Sequence, residues 1–191
     1  MGGRAQERLL SSRLVVISAF EDLEEPLRYL VGAGVGDIDL CVPGSNDAPL
    51  RSLCTSMREL NPDSTVSYGS LAQVPDLVFA ILGNDDVVRF AAAEAPTTGP
   101  AVVARLDAPG KIALLPAPPP CLRCASAGLL DPFGARGEYA GLVAMLATTE
   151  ALKVLAGYDA NVAPTLMTFD GPQTIAQPLT ISLSRATCSH L

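Results

Sequence analysis

The chain has 191 residues, of which 49% are hydrophobic, 17% charged and 5% aromatic, with a formal net charge of -7. That length suits one domain with a real core, and the apolar content excludes a disordered chain. The acidic balance argues against a nucleic-acid partner or an anionic membrane surface, and the lone histidine, His190, argues against Ser/His/Asp or Cys/His catalysis unless the tail folds back into a site.

In chain order, residues 14–19 read as a β-branched, fully buried strand. The apolar run is too short to span a membrane, and the acids Glu21, Asp22, Glu24 and Glu25 follow at once, unlike a secretion signal. A cytoplasmic location is therefore expected. Met1-Gly2 lacks the Ser or Thr of a myristoylation signal, because position 6 is Gln6. A helix is predicted over 23–31, with Pro26 in its first turn and Gly32 and Gly34 ending it. Residues 37–42 read as a second strand, giving a βαβ start.

A turn over 43–47 leads to a helix over 50–60, closed by Asn61-Pro62. Residues 66–68 and 77–82 read as strands, and 87–95 as a helix. Residues 101–106 and 112–115 read as a hairpin around Ala108-Pro109-Gly110. Residues 116–120 form a stiff polyproline-like connector. A Gly-rich loop runs on to Gly137. The clearest helix spans 139–156, closed by Gly157 with Lys153 in its last turn. Apolar residues surround most of its axis, including Leu142, Val143, Leu146, Leu152, Val154 and Leu155, so it is expected to be buried in a core or a subunit interface. Strand-like pieces follow at 166–169 and 179–183. No repeat or second-domain boundary interrupts the chain. These elements predict an α/β domain with a mostly parallel sheet.

Of the five cysteines, Cys121 and Cys124 have the Cys-x-x-Cys spacing of a metal half-site. The same spacing suits two buried small hydrophobes or a redox pair. Cys41 and Cys54 read as core residues on a strand and a helix.

Three stretches carry a resemblance. The first is Ser12-Arg13-Leu14-Val15-Val16-Ile17 with Tyr29-Leu30 and Ala33-Gly34-Val35-Gly36. The second is Pro120-Cys121-Leu122-Arg123-Cys124. The third is Thr149-Glu150-Ala151-Leu152-Lys153-Val154-Leu155-Ala156-Gly157-Tyr158, with Leu60-Asn61-Pro62 and Asp76-Leu77-Val78 between them. Together they resemble the ThiF/MoeB superfamily of ubiquitin-activating-enzyme-like adenylyltransferases, over nearly the whole chain. The resemblance implies a Rossmann-like three-layer domain over 1–191. Its nucleotide-binding half would be 1–116, and its half with the zinc segment and long helix 117–191. It also implies activation of a carboxylate by ATP, homodimerisation, and a structural zinc. Cys121, Cys124 and Cys188 match three zinc ligands. His190 lies one residue short of the fourth and is chemically apt, although a frayed terminal residue is the plain alternative.

The chain departs from that pattern where ATP should bind. The family's glycine loop corresponds to Ser18-Ala19-Phe20-Glu21-Asp22-Leu23, with Ser18, Phe20, Glu21 and Leu23 at the glycine positions. Phe20 would obstruct the backbone's approach to phosphate, and the four acids would repel it. Val42-Pro43-Gly44 replaces the ribose-binding acid, and Gly83 stands where the magnesium-binding aspartate should be. The expected function is therefore a non-catalytic ThiF-like scaffold for a protein or peptide partner, for example in peptide modification or a sulfur-carrier pathway, without ATP as cofactor. The alternative is an active adenylyltransferase with an altered ATP site, acting on a ubiquitin-like carrier or peptide, with Asp85, Asp86 and Arg51 as remnants. A Rossmann domain holding another small ligand is a third reading.

Overall fold

The computed structural model describes residues 3–69, 74–96, 99–115, 129, 131–158, 165–170 and 173–178. Eight strands form one sheet: β1 (Arg13–Ser18), β2 (Asp37–Cys41), β3 (Thr65–Tyr68), β4 (Leu77–Leu82), β5 (Ala101–Arg105), β6 (Gly110–Leu115), β7 (Thr165–Asp170) and β8 (Gln173–Pro178). Their order is β3-β2-β1-β4-β5-β6-β7-β8. The first five are parallel and the last three pair antiparallel. The α/β, Rossmann-like expectation holds, with the direction of strand order changing between β1 and β4.

Alternation along the strands separates two cores. On one face Leu14, Val16, Ile38, Leu40, Phe79 and Ile81 pack under α1 (Gly3–Ser11), α2 (Glu24–Gly32), α3 (Asp47–Leu60) and α5 (Ala140–Ala156). On the other, Val15, Ile17, Val78, Ala80 and Val103 pack under α4 (Asp85–Glu94). Both faces of β1 and β4 are therefore apolar, as the apolar runs 14–17 and 77–82 require. β2 is different: α4 packs on β4 and β1, and the half-buried Asp39 on β2 is left to accept a hydrogen bond from the Ser67 hydroxyl on β3.

The Ala33-Gly34-Val35-Gly36 turn has a steric reason. Gly34 adopts φ +90°, and a β-carbon there would overlap the Gln6 side chain. A β-carbon on Gly36 would overlap the Leu10 carbonyl. The Gly36 amide instead donates to the Leu9 carbonyl at 2.9 Å, and Gln6 Nε2 donates to the Ala33 carbonyl at 3.2 Å. The helix α1, which the sequence did not suggest, is thus seated on this turn through buried Ala5 and Leu9.

The long helix α5 is enclosed on one side only within this chain. Its inner face is made of Ala140, Val143, Ala144, Ala147, Ala151 and Leu155. Small side chains let it lie close on β4, β5 and β6. Leu142 and Leu146 point outward, 54% and 38% exposed. It is not buried all round within this chain. Gly157 caps it in the left-handed conformation, φ +77°, as expected for a helix-ending glycine. The predicted strand at 179–183 lies outside the described residues.

Candidate functional site

The carboxyl ends of β1 and β4 flank the point where strand order reverses, which is where open α/β sheets receive ligands. β1 ends at Ser18, and the chain enters a 3₁₀ turn, Phe20–Asp22, ahead of α2. The Asp22 amide donates to the Ala19 carbonyl and the Leu23 amide to the Phe20 carbonyl, each at 3.2 Å. These two amides, which an open glycine loop could aim at phosphate, are thus engaged within the turn. Ser18 and Leu23 are fully buried, and Phe20 is 39% exposed. The Ser18 hydroxyl donates to the Ala19 carbonyl at 2.9 Å.

The four acids after β1 do not act as one cluster. Glu24 pairs with Arg28 at 2.9 Å on the surface of α2. Glu21 and Glu25 are exposed, with Glu21 Oε1 accepting from Asn84 Nδ2 at 3.4 Å. Asp22 turns inward, and its side chain is 2% exposed. Its Oδ1 accepts from the Arg136 guanidinium, and its Oδ2 has no hydrogen-bond partner among the described residues. That carboxylate lies directly against Gly83, beyond the end of β4. A β-carbon on Gly83 would overlap Oδ2, come within 2.9 Å of Cγ, and stand 3.5 Å from Arg136 Nη1. Hydrogen bonding to Asp22 holds the Arg136 guanidinium still more firmly protonated, against the opposing effect of its partial burial.

Arg136 belongs to a segment strapped across the strand ends. Buried Arg105, at the end of β5, donates to both carboxylate oxygens of Asp107, at 2.7 and 2.6 Å. Its remaining donors reach the carbonyls of Leu129, Asp131 and Pro132, between 2.7 and 2.9 Å. The guanidinium lies 5.8 Å from the centre of the Phe133 ring, within cation–π range. Asp107 Oδ2 also accepts from the Gly134 amide at 3.0 Å, and Asp85 Oδ1 from the Phe133 amide at 2.7 Å. Burial pushes the Asp107 carboxyl up, but the hydrogen bonds from Arg105 and Gly134 and the charge of Arg105 outweigh it. The carboxyl lies below its ordinary range. Beyond it, the Gly137 amide donates to the Leu106 carbonyl at 2.8 Å.

A hollow of about 430 Å³ opens beside the ends of β2 and β3, with Cys41, Val42, Leu50, Tyr68 and Phe90 in its wall. Val42-Pro43 stands there in place of an acid. Burial, then the charge of Asp39, pushes the Cys41 thiol up to about 12. Burial also raises Cys54. Both are buried free cysteines, as their sequence context implied.

The expected zinc ligands Cys121, Cys124, Cys188 and His190 lie outside the described residues. Among the described residues no group of three or more His, Cys, Asp or Glu could hold a metal ion. Of the acids read as remnants of an altered ATP site, Asp85 accepts from the Phe133 amide of the strap and Asp86 pairs with Arg89. Arg51 stands on the exposed face of α3. Sequence reasoning missed Arg136, Arg105 and Asp107. The available signals were Arg105, closing an otherwise apolar strand, and Gly83, directly following the strongly apolar run 77–82.

No family model and no curated protein matches the chain in sequence. Solved structures do match in shape. E. coli MccB with ATP superposes over 92% of this chain with a TM-score of 0.67 and 13% identity. The Microcin C7 biosynthetic enzyme MccB in complex with N-formylated MccA gives 0.65 and 13%, again over 92%. PaaA gives 0.60 and 11% over 92%. The chain spans 65%, 67% and 66% of those three chains. The likeness, at these identities, is one of fold: the chain has the fold of MccB, a ThiF/MoeB-family adenylyltransferase.

Proposed function

We propose that this chain is a non-catalytic scaffold of ThiF/MoeB fold that binds a protein or peptide partner. The observation that carries this reading is the Asp22–Arg136 pair beside Gly83. An acidic side chain and its cation occupy the switch point, where the fold would receive a nucleotide's phosphates. The residues there do not fit ATP. The Asp22 and Leu23 amides are bonded within the turn, the Asp22 carboxylate fills the space beside Gly83, and Gly83 supplies no magnesium ligand. The end of β2 supplies no acid for a ribose. Support for a peptide partner comes from MccB, which is seen in complex with N-formylated MccA. Peptide modification is therefore the favoured setting.

The reading includes a structural zinc held by Cys121, Cys124, Cys188 and His190. Its support is the donor chemistry: Cys₃His is a standard structural set, and four protein ligands leave no open position. One zinc per chain is expected by elemental analysis, lost in Cys121→Ser and Cys188→Ser. A metal-free wild type of unchanged stability would remove zinc from this account.

The experiment that tests the main reading is ATP–pyrophosphate exchange in the presence of carboxylate-bearing peptides and carrier proteins. No exchange above background is expected. Exchange that depends on one carrier would establish the alternative, an active adenylyltransferase with an altered site.

A further inference from the structure

The hollow beside the ends of β2 and β3 is open to solvent and is flanked by the start of α3 and the end of α4. Its wall is apolar: Val42, Leu50, Tyr68 and Phe90, with the neutral Cys41 thiol among them. Two further lining residues are exposed acids, Asp47 at the start of α3 and Glu94 at the end of α4. Neither makes a hydrogen bond or ion pair among the described residues. Among the described residues, no basic side chain lines the hollow. An apolar wall with two unpaired carboxylates selects a ligand with an apolar body and a cationic head. It disfavours a phosphate, which would meet like charge on both sides. The volume, about 430 Å³, falls at the lower end of ordinary ligand sites and holds one or two amino-acid side chains.

We infer that this hollow is a specificity pocket for a cationic residue, arginine or lysine beside an apolar neighbour, of the partner peptide. The inference rests on the scaffold reading above and names the chemistry of that partner. The aliphatic stem of the cationic residue lies along Val42, Tyr68 and Phe90, and its head pairs with Asp47 and Glu94. Charge complementarity argues for this occupant: the chain carries a net charge of -7, and these two acids stand at a mostly apolar site.

The test uses acetyl-Phe-Arg-amide, its uncharged isostere acetyl-Phe-citrulline-amide, and MgATP, each titrated into the full ¹⁵N-labelled chain. The arginine peptide is expected to shift the amides of Cys41, Gly69 and Phe90 saturably. The citrulline peptide should bind roughly fivefold more weakly, the size expected for two exposed ion pairs. The surface variant D47N/E94Q should lose the same factor for the arginine peptide and none for the citrulline one. Equal binding of the two peptides, or no shift with either, overturns the inference and leaves the scaffold reading standing. Shifts at these amides with protein concentration alone would assign the hollow to a second copy of the chain and overturn it too. MgATP shifting the same amides would overturn both the inference and the scaffold reading.

Discussion

The carboxylate of Asp22 occupies the space that any side chain on Gly83 would need. The two positions are reciprocal: an acid reaches the end of β4 from the turn after β1, and the residue just after β4 is a glycine that admits it. Gly83→Ala is therefore expected to destabilise the chain by about 1–3 kcal/mol, as overpacking against a buried group does. Gly83→Asp should cost more, because it sets a second carboxylate against the first. Combined with Asp22→Ala, the Gly83→Asp penalty should fall by more than about 1 kcal/mol, a coupling that a double-mutant cycle in urea would measure. Arg136→Ala leaves Asp22 buried and unpaired, at a cost of roughly 3 kcal/mol. Additive penalties across these variants would contradict the reciprocal arrangement.

The strap over the strand ends makes a pH prediction. Asp107 has its carboxyl held below the usual range in the folded chain, so the unfolded chain takes up the proton more readily. The stabilisation is fully present above the unfolded value of about 3.9 and is lost as pH falls through the lower folded value. The urea midpoint of the wild type should drop more steeply below about pH 4 than that of Asp107→Asn. Parallel pH profiles for the two would show that the Arg105–Asp107 pair does not carry this stability.

Tyr139, capping the start of α5, and Leu142 and Leu146 on it form an outward apolar stripe, each more than a third exposed. Single exposed leucines are ordinary, but a stripe at helical spacing needs a cover. A homodimer through this face is expected. Leu142→Glu with Leu146→Glu should convert a dimer to a monomer by sedimentation, with the fold unchanged by circular dichroism. A wild type that sediments as a monomer at 50 micromolar would contradict it.

The strands and helices were legible where local pattern and burial agree. Residues 77–82 are six apolar residues in a row, and β4 is Leu77–Leu82, buried throughout. Gly157 marked the end of α5 because only a left-handed residue closes it there. α1 was illegible: Arg4, Gln6, Glu7 and Arg8 are exposed, and only Ala5 and Leu9 hold it to the core. The outward turn of Leu142 and Leu146 was also hidden, because the sheet takes the alanine face of α5 rather than the leucine face. At the site, the sequence reading treated the four acids after β1 alike. Which acid turns inward depends on Arg136, 114 positions away, and no local periodicity reports a contact of that separation.

The central claim is that the Asp22–Arg136 pair holds the position of a nucleotide's phosphates. Isothermal titration of MgATP into the full chain tests it most directly. The account predicts no saturable binding at up to millimolar nucleotide. MgATP binding at micromolar affinity, weakened by Arg136→Ala, would contradict it.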